Sequence, residues 1–96
     1  MTERRPPHHS VYVVLLNIKG KDAYYVGLTG LTPEERFKLH KHGYKAGRGM
    51  VKKYGVRLAT ELYAHLNPIS YWEAVKKERQ LAAELRGLGC DVYGGH

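Results

Sequence analysis

The sequence predicts an α+β domain: a small three-stranded antiparallel sheet flanked by helices, in the order β-β-α-α-β-α, with a short C-terminal strand as an option. Three observations predict it. Val11 to Ile18 (VYVVLLNI) and Tyr24 to Leu28 (YYVGL) are β-rich apolar runs joined by the polar link Lys19-Gly20-Lys21-Asp22, the pattern of an antiparallel hairpin. Two later segments open on helix-capping signals. Between them, RLATELYAHL (residues 57–66) alternates with the period of a strand.

The first helix has the clearest start. Thr32 is a good N-cap, Pro33 stands at the first helical position, and Glu35 completes a capping box with Thr32. This helix should run to about Lys41 and end before Gly43. A short basic helix is expected over 49–54, closed by Gly55. In the third strand Leu58, Thr60, Leu62, Ala64 and Leu66 share one face, and Ala59, Glu61, Tyr63 and His65 the other. A helical reading is the alternative for so short an apolar run. Asn67-Pro68 ends it. Ser70 then caps a long helix with Glu73 in the reciprocal position, extending to about Arg86 and stopping at Gly87 or Gly89. Cys90 to Tyr93 is the candidate last strand. Residues 1–9 read as a polar, proline-containing arm and residues 10–96 as one domain.

Composition narrows the function classes. Sixteen basic side chains against nine acidic ones give a net charge of +7, and the pI is near 9.6. On so small a domain this balance points to a polyanion partner. No apolar run reaches the ~18 residues of a membrane helix, and the N-terminal residues lack the apolar core of a signal peptide. Cys90 is the single cysteine and cannot form an internal disulfide. A cytoplasmic protein with no membrane partner is the expectation. His8, His9, His40 and His42 with one cysteine lack structural-zinc spacing, and Cys90 lacks an activating base in the sequence.

One carboxylate stands where the core should be. With about 100° per residue and Trp72 as origin, Ala74, Val75, Leu81, Ala82, Leu85 and Leu88 cluster on one side of the last helix. Glu78 falls at about 240°, at the centre of that apolar stripe. An inward carboxylate is costly unless a cation pairs with it. A buried ion pair with an arginine would satisfy it, and so would a bound metal. Arg36 and His40, four apart on the first helix, share one face. An inward acid together with an Arg/His face in a basic domain suggests a site for a divalent cation and a phosphate. Tyr12 and Tyr25, two of eight tyrosines, sit near the middle of the paired strands.

The ordered set Val11-Tyr12, Tyr25-Val26-Gly27, Thr29-Gly30, Arg36-Phe37-Lys38-Leu39-His40 and Glu78 resembles the GIY-YIG nuclease superfamily over about residues 10–93. Ser10 and Val11 stand where the family has Gly and Ile. Val26 replaces the Ile of the second motif. No Asn follows Asn67, where the family often carries one near its C-terminal end. The resemblance implies a metal-dependent endonuclease hydrolysing phosphodiester bonds in nucleic acid, DNA rather than RNA. It implies Mg²⁺ or Mn²⁺ held by Glu78, the scissile phosphate on Arg36, and Tyr12 as general base or water positioner. Tyr25 would support the site and His40 would orient or relay a proton. Arg36 and the metal are expected to make the Tyr12 proton easier to release. Lys41, Lys45, Arg48, Lys52 and Lys53 are expected to contact backbone phosphates. Two other readings are a non-catalytic nucleic-acid-binding module with the same fold, and a catalytic subunit active only with a partner. A homodimer or a partner protein would then supply specificity.

Overall fold

A computed structural model describes residues 7–43 and 49–95. The two apolar runs form strands β1 (Ser10–Ile18) and β2 (Lys21–Thr29), paired antiparallel from Ser10↔Thr29 to Ile18↔Lys21. The turn is two residues long. Lys19 and Gly20 both have positive φ, at 52° and 84°, as a type I′ hairpin requires.

The local helix signals hold. Helix α1 is Pro33–Lys41, with the full capping box between Thr32 and Glu35. Helix α2 is Met50–Tyr54, ended by Gly55. Helix α3 is Tyr71–Gly87, and the Ser70 hydroxyl accepts from the Glu73 amide and donates to the Glu73 carboxylate. Leu88 is 79% exposed and does not join the apolar stripe, because the helix ends before it and the angular count no longer applies.

The expected sheet is corrected in two respects. Strand β3 is only Gly55–Leu58, and the chain then makes 3-10 turns at Thr60–Leu62 and Ala64–Leu66. The reason lies at the edge of β1. The Ala59 amide donates to the Val13 carbonyl. One residue pair further on, the Asn67 side chain takes the place of a strand: its Oδ1 accepts from the Val11 amide at 2.9 Å and its Nδ2 donates to the Val11 carbonyl at 2.7 Å. The apolar residues of 57–66 that turn inward are Leu58, Ala59, Leu62, Tyr63 and Leu66, a helical spacing rather than an alternation. The second correction is to sheet type. Strand β4 (Val92–Gly94) pairs parallel with β2, so the sheet is mixed and four-stranded, in the order β3-β1-β2-β4.

The core sits around β1. Val11, Tyr12, Val13 and Val14 are all buried, so both faces of this strand are covered. α1 and α2 pack over β1 and β3, while α3 packs over β1, β2 and β4. The site residues come from β1, β2, α1 and α3, the elements that meet over the central hairpin. Among the described residues no helix is long and apolar enough to cross a membrane.

Candidate active site

Tyr12 and Gly27 are cross-strand partners, and partners share one face of a sheet. The Tyr12 ring leans over that glycine: a methyl group placed on Gly27 would lie 2.6 Å from the Tyr12 hydroxyl. Any larger residue at 27 therefore displaces the phenol. Tyr25 lies on the same face, opposite Val14, with its ring centroid 6.3 Å from that of Tyr12.

Helix α1 delivers the next two groups. The capping box fixes where the helix begins, and Arg36 and His40 follow one turn apart. His40 is 2% exposed, and its Nε2 lies 2.7 Å from the Tyr12 hydroxyl. Its ring also meets Tyr25 edge-on at 5.4 Å. The Arg36 guanidinium hydrogen-bonds the same Tyr12 phenol. Arginine can only donate, so the phenol oxygen accepts from Arg36. In the Nδ1–H tautomer of His40 the phenol donates its own proton to Nε2.

Glu78 comes from α3 and is 9% exposed, turned inward as the helix geometry predicts. Its charge acts on both Tyr12 and Tyr25. Tyr12 and His40 therefore meet through a hydrogen bond, Tyr25 packs near both rings, and Arg36 and Glu78 act on the two phenols.

Burial dominates the proton chemistry. It pushes the Tyr12 phenol well above the usual tyrosine range, the Tyr25 and Glu78 charges add to the rise, and Arg36 opposes it without prevailing. The expectation that Tyr12 gives up its proton more easily thus does not hold in the free protein. Tyr25 is raised as well, chiefly by burial. His40 is lowered to about 4, first by burial and then by the Arg36 charge, so it is neutral at pH 7.

Among the described residues no group of three or more His, Cys, Asp or Glu gathers as a metal cage. A Mg²⁺-type ion needs only one or two protein carboxylates, with the other positions left to water and substrate. A single buried carboxylate whose charge reaches two phenols fits that requirement.

The predicted phosphate contacts separate into three groups. Lys41 lends its ammonium to the C-terminal end of α2, donating to the Gly55 carbonyl at 3.0 Å and to those of Lys52 and Val51 at 3.3 and 3.5 Å. It therefore has a structural task that the sequence did not suggest. Lys52 and Lys53 are exposed on α2, and the Lys53 ammonium lies over the Tyr54 ring at 5.4 Å. Lys45 and Arg48 lie outside the described residues.

Two residues have positioning roles that the sequence reading did not assign. Gly27 makes room for the phenol. Asn67 clamps β1 at Val11, the residue before Tyr12. The signal for Asn67 is weak: an Asn-Pro pair reads as a turn, and only the fold reveals the strand edge that its amide completes. Comparison with family models, with curated proteins and with solved structures gives no match.

Proposed function

We propose that this chain is a metal-dependent endonuclease of the GIY-YIG type, hydrolysing phosphodiester bonds in DNA at the centre formed by Tyr12, Tyr25, Arg36, His40 and Glu78. One observation carries the reading. A phenol hydrogen-bonded to a neutral imidazole feels the charges of a guanidinium and a buried carboxylate, on a domain of net charge +7. A module that only binds nucleic acid has no use for an inward Glu78 beside this set.

Each residue has a task that its chemistry permits. Arg36 binds the scissile phosphate through its fork of donors. Tyr12, protonated in the free protein, orients the attacking water. As that water loses its proton to the phenol oxygen, Tyr12 passes its own proton to His40 Nε2. His40 is a weak base while Arg36 faces it uncompensated. A phosphate seated on Arg36 cancels that part of the depression, so substrate binding prepares the acceptor. Tyr25 packs edge-on against His40 and holds its ring. Glu78 would hold Mg²⁺ or Mn²⁺, which when bound supplies charge neutralisation at the leaving oxygen.

The test uses supercoiled plasmid with Mg²⁺ or Mn²⁺, beside Glu78→Ala and Arg36→Ala. Metal-dependent nicking is expected from the wild type, with each variant reduced by about 10²-fold or more, the scale of one lost electrostatic contact at a reacting centre. Equal nicking by all three proteins overturns the reading. Salt-sensitive DNA binding without nicking replaces it with the binding module.

A further inference from the structure

The N-terminal end of α3 and the chain before β1 carry an uninterrupted run of aromatic rings. His8 and His9 stack with centroids 4.3 Å apart, His9 meets Tyr71 at 5.3 Å, and Tyr71 meets Trp72 at 5.2 Å. Their exposure is unusual for rings of this size. Trp72 is 74% exposed and Tyr71 46%, yet neither is needed to fill the core. The Gly30 loop after β2 lies against both histidines.

Two routes through the fold give the distance to the cleavage centre. His9 stands just before β1, three residues and about 10 Å of extended backbone from Tyr12, an odd offset that turns the two side chains to opposite faces. Along α3, Tyr71 and Glu78 are seven apart, hence on nearly the same side of the helix and separated by about 10 Å. These are backbone separations, and only the α3 route keeps its two side chains on one side.

Charge continues along another side of the same helix, about 100–160° around from Glu78. Trp72, Lys76 and Arg79 fall within about 60° of one another on α3, and all three are exposed. Rings that present faces to solvent beside a row of cations match a nucleic-acid strand whose bases are unstacked and whose phosphates run alongside. A paired duplex hides its base faces and cannot use the rings.

We propose that His8, His9, Tyr71 and Trp72 form a stacking platform for unpaired nucleotides, with Lys76 and Arg79 following the strand's backbone. The platform's role in choosing substrates rests on the nuclease reading above. Its binding does not, and it is measured in EDTA so that the two fail separately.

Trp72 is the single tryptophan of the chain and reports directly. Titration with a twelve-nucleotide oligothymidine or oligouridine is expected to quench its emission to saturation, and a blunt duplex of equal length to quench it far less. Quenching by either oligonucleotide supports the platform. By anisotropy of a labelled strand, Trp72→Ala should weaken binding about 5- to 100-fold, the range of one lost base–ring stack. Trp72→Phe keeps a ring and should stay within about threefold. The double variant Lys76→Ala/Arg79→Ala should reduce the salt slope by about 1.4, two single-strand phosphate contacts. Trp72→Ala binding the strand as tightly as wild type overturns the proposal, and so does equal quenching by duplex. A dimer that Trp72→Ala dissolves, with no response to either oligonucleotide, assigns the rings to a contact between copies and also overturns it.

Discussion

Tyr12 and Tyr63 are each 2% exposed, and their hydroxyls live in opposite surroundings. The Tyr12 hydroxyl has His40 Nε2 at 2.7 Å and the Arg36 guanidinium as partners. The Tyr63 hydroxyl has no hydrogen-bond partner among the described residues. Burial pushes both phenols up, Tyr63 to about 12 with the Glu34 and Glu61 charges adding to the rise. Only Tyr12 has a cation working against that rise. A buried hydroxyl without a partner costs about 1–3 kcal/mol, whereas one held between a donor and an acceptor is poised for proton transfer. Depth alone therefore does not make a phenol part of a reacting centre.

The pair can be broken experimentally, and the largest effect falls on Tyr12. Tyr12→Phe keeps the ring and removes the hydroxyl. Single-turnover cleavage is expected to fall by about 10²- to 10⁴-fold, the contribution of positioned acid–base chemistry, with DNA affinity in EDTA nearly unchanged. Gly27→Ala reaches the same phenol indirectly, since the added methyl lies 2.6 Å from its oxygen. The displaced phenol should reduce cleavage by about 10²-fold, while circular dichroism retains the native fold.

The partner of Tyr12 gives a pH signature that Tyr63 lacks. The unfolded chain protonates His40 near pH 6.5, whereas the folded protein does so only near 4. Between those values the unfolded state binds more protons, so stability is complete above about pH 6.5 and is lost as pH falls toward 4. Urea unfolding should show up to about 3 kcal/mol of this loss, and His40→Gln should remove most of it. The smallest effect belongs to Tyr63→Phe. Deleting a partnerless hydroxyl should leave cleavage at the wild-type rate and raise stability by at most about 1 kcal/mol in the same unfolding assay.

Local signals carried most of the fold. The hairpin and the capped starts of α1 and α3 are written in adjacent residues; the helices start where those residues placed them, and the hairpin formed with Lys21 and Asp22 in β2 and a turn of only Lys19 and Gly20. The failures are non-local. Residues 57–66 fit both an alternating and a helical spacing, and the choice was made by Asn67 occupying the β1 edge from outside the segment. The parallel pairing of β4 depends on where α3 returns the chain. The candidate site divides the same way. The inward turn of Glu78 follows from counting angles along one helix. The meeting of Tyr12 with Arg36 and His40 was reachable through the family resemblance, and no spacing within one element could supply it. The upward push on the Tyr12 phenol was not legible, because desolvation is set by everything packed around it. Gly27 was visible as a motif glycine, but its contact with the phenol needed the strand register.

The central claim is that the Glu78 carboxylate holds the divalent ion beside Arg36 and Tyr12. Anomalous diffraction at the manganese edge tests it most directly, on crystals soaked with Mn²⁺ and a non-hydrolysable single strand. The account predicts a peak about 2.1 Å from a Glu78 carboxylate oxygen, absent in Glu78→Gln. Manganese bound at another carboxylate while Glu78 stays unligated would contradict it.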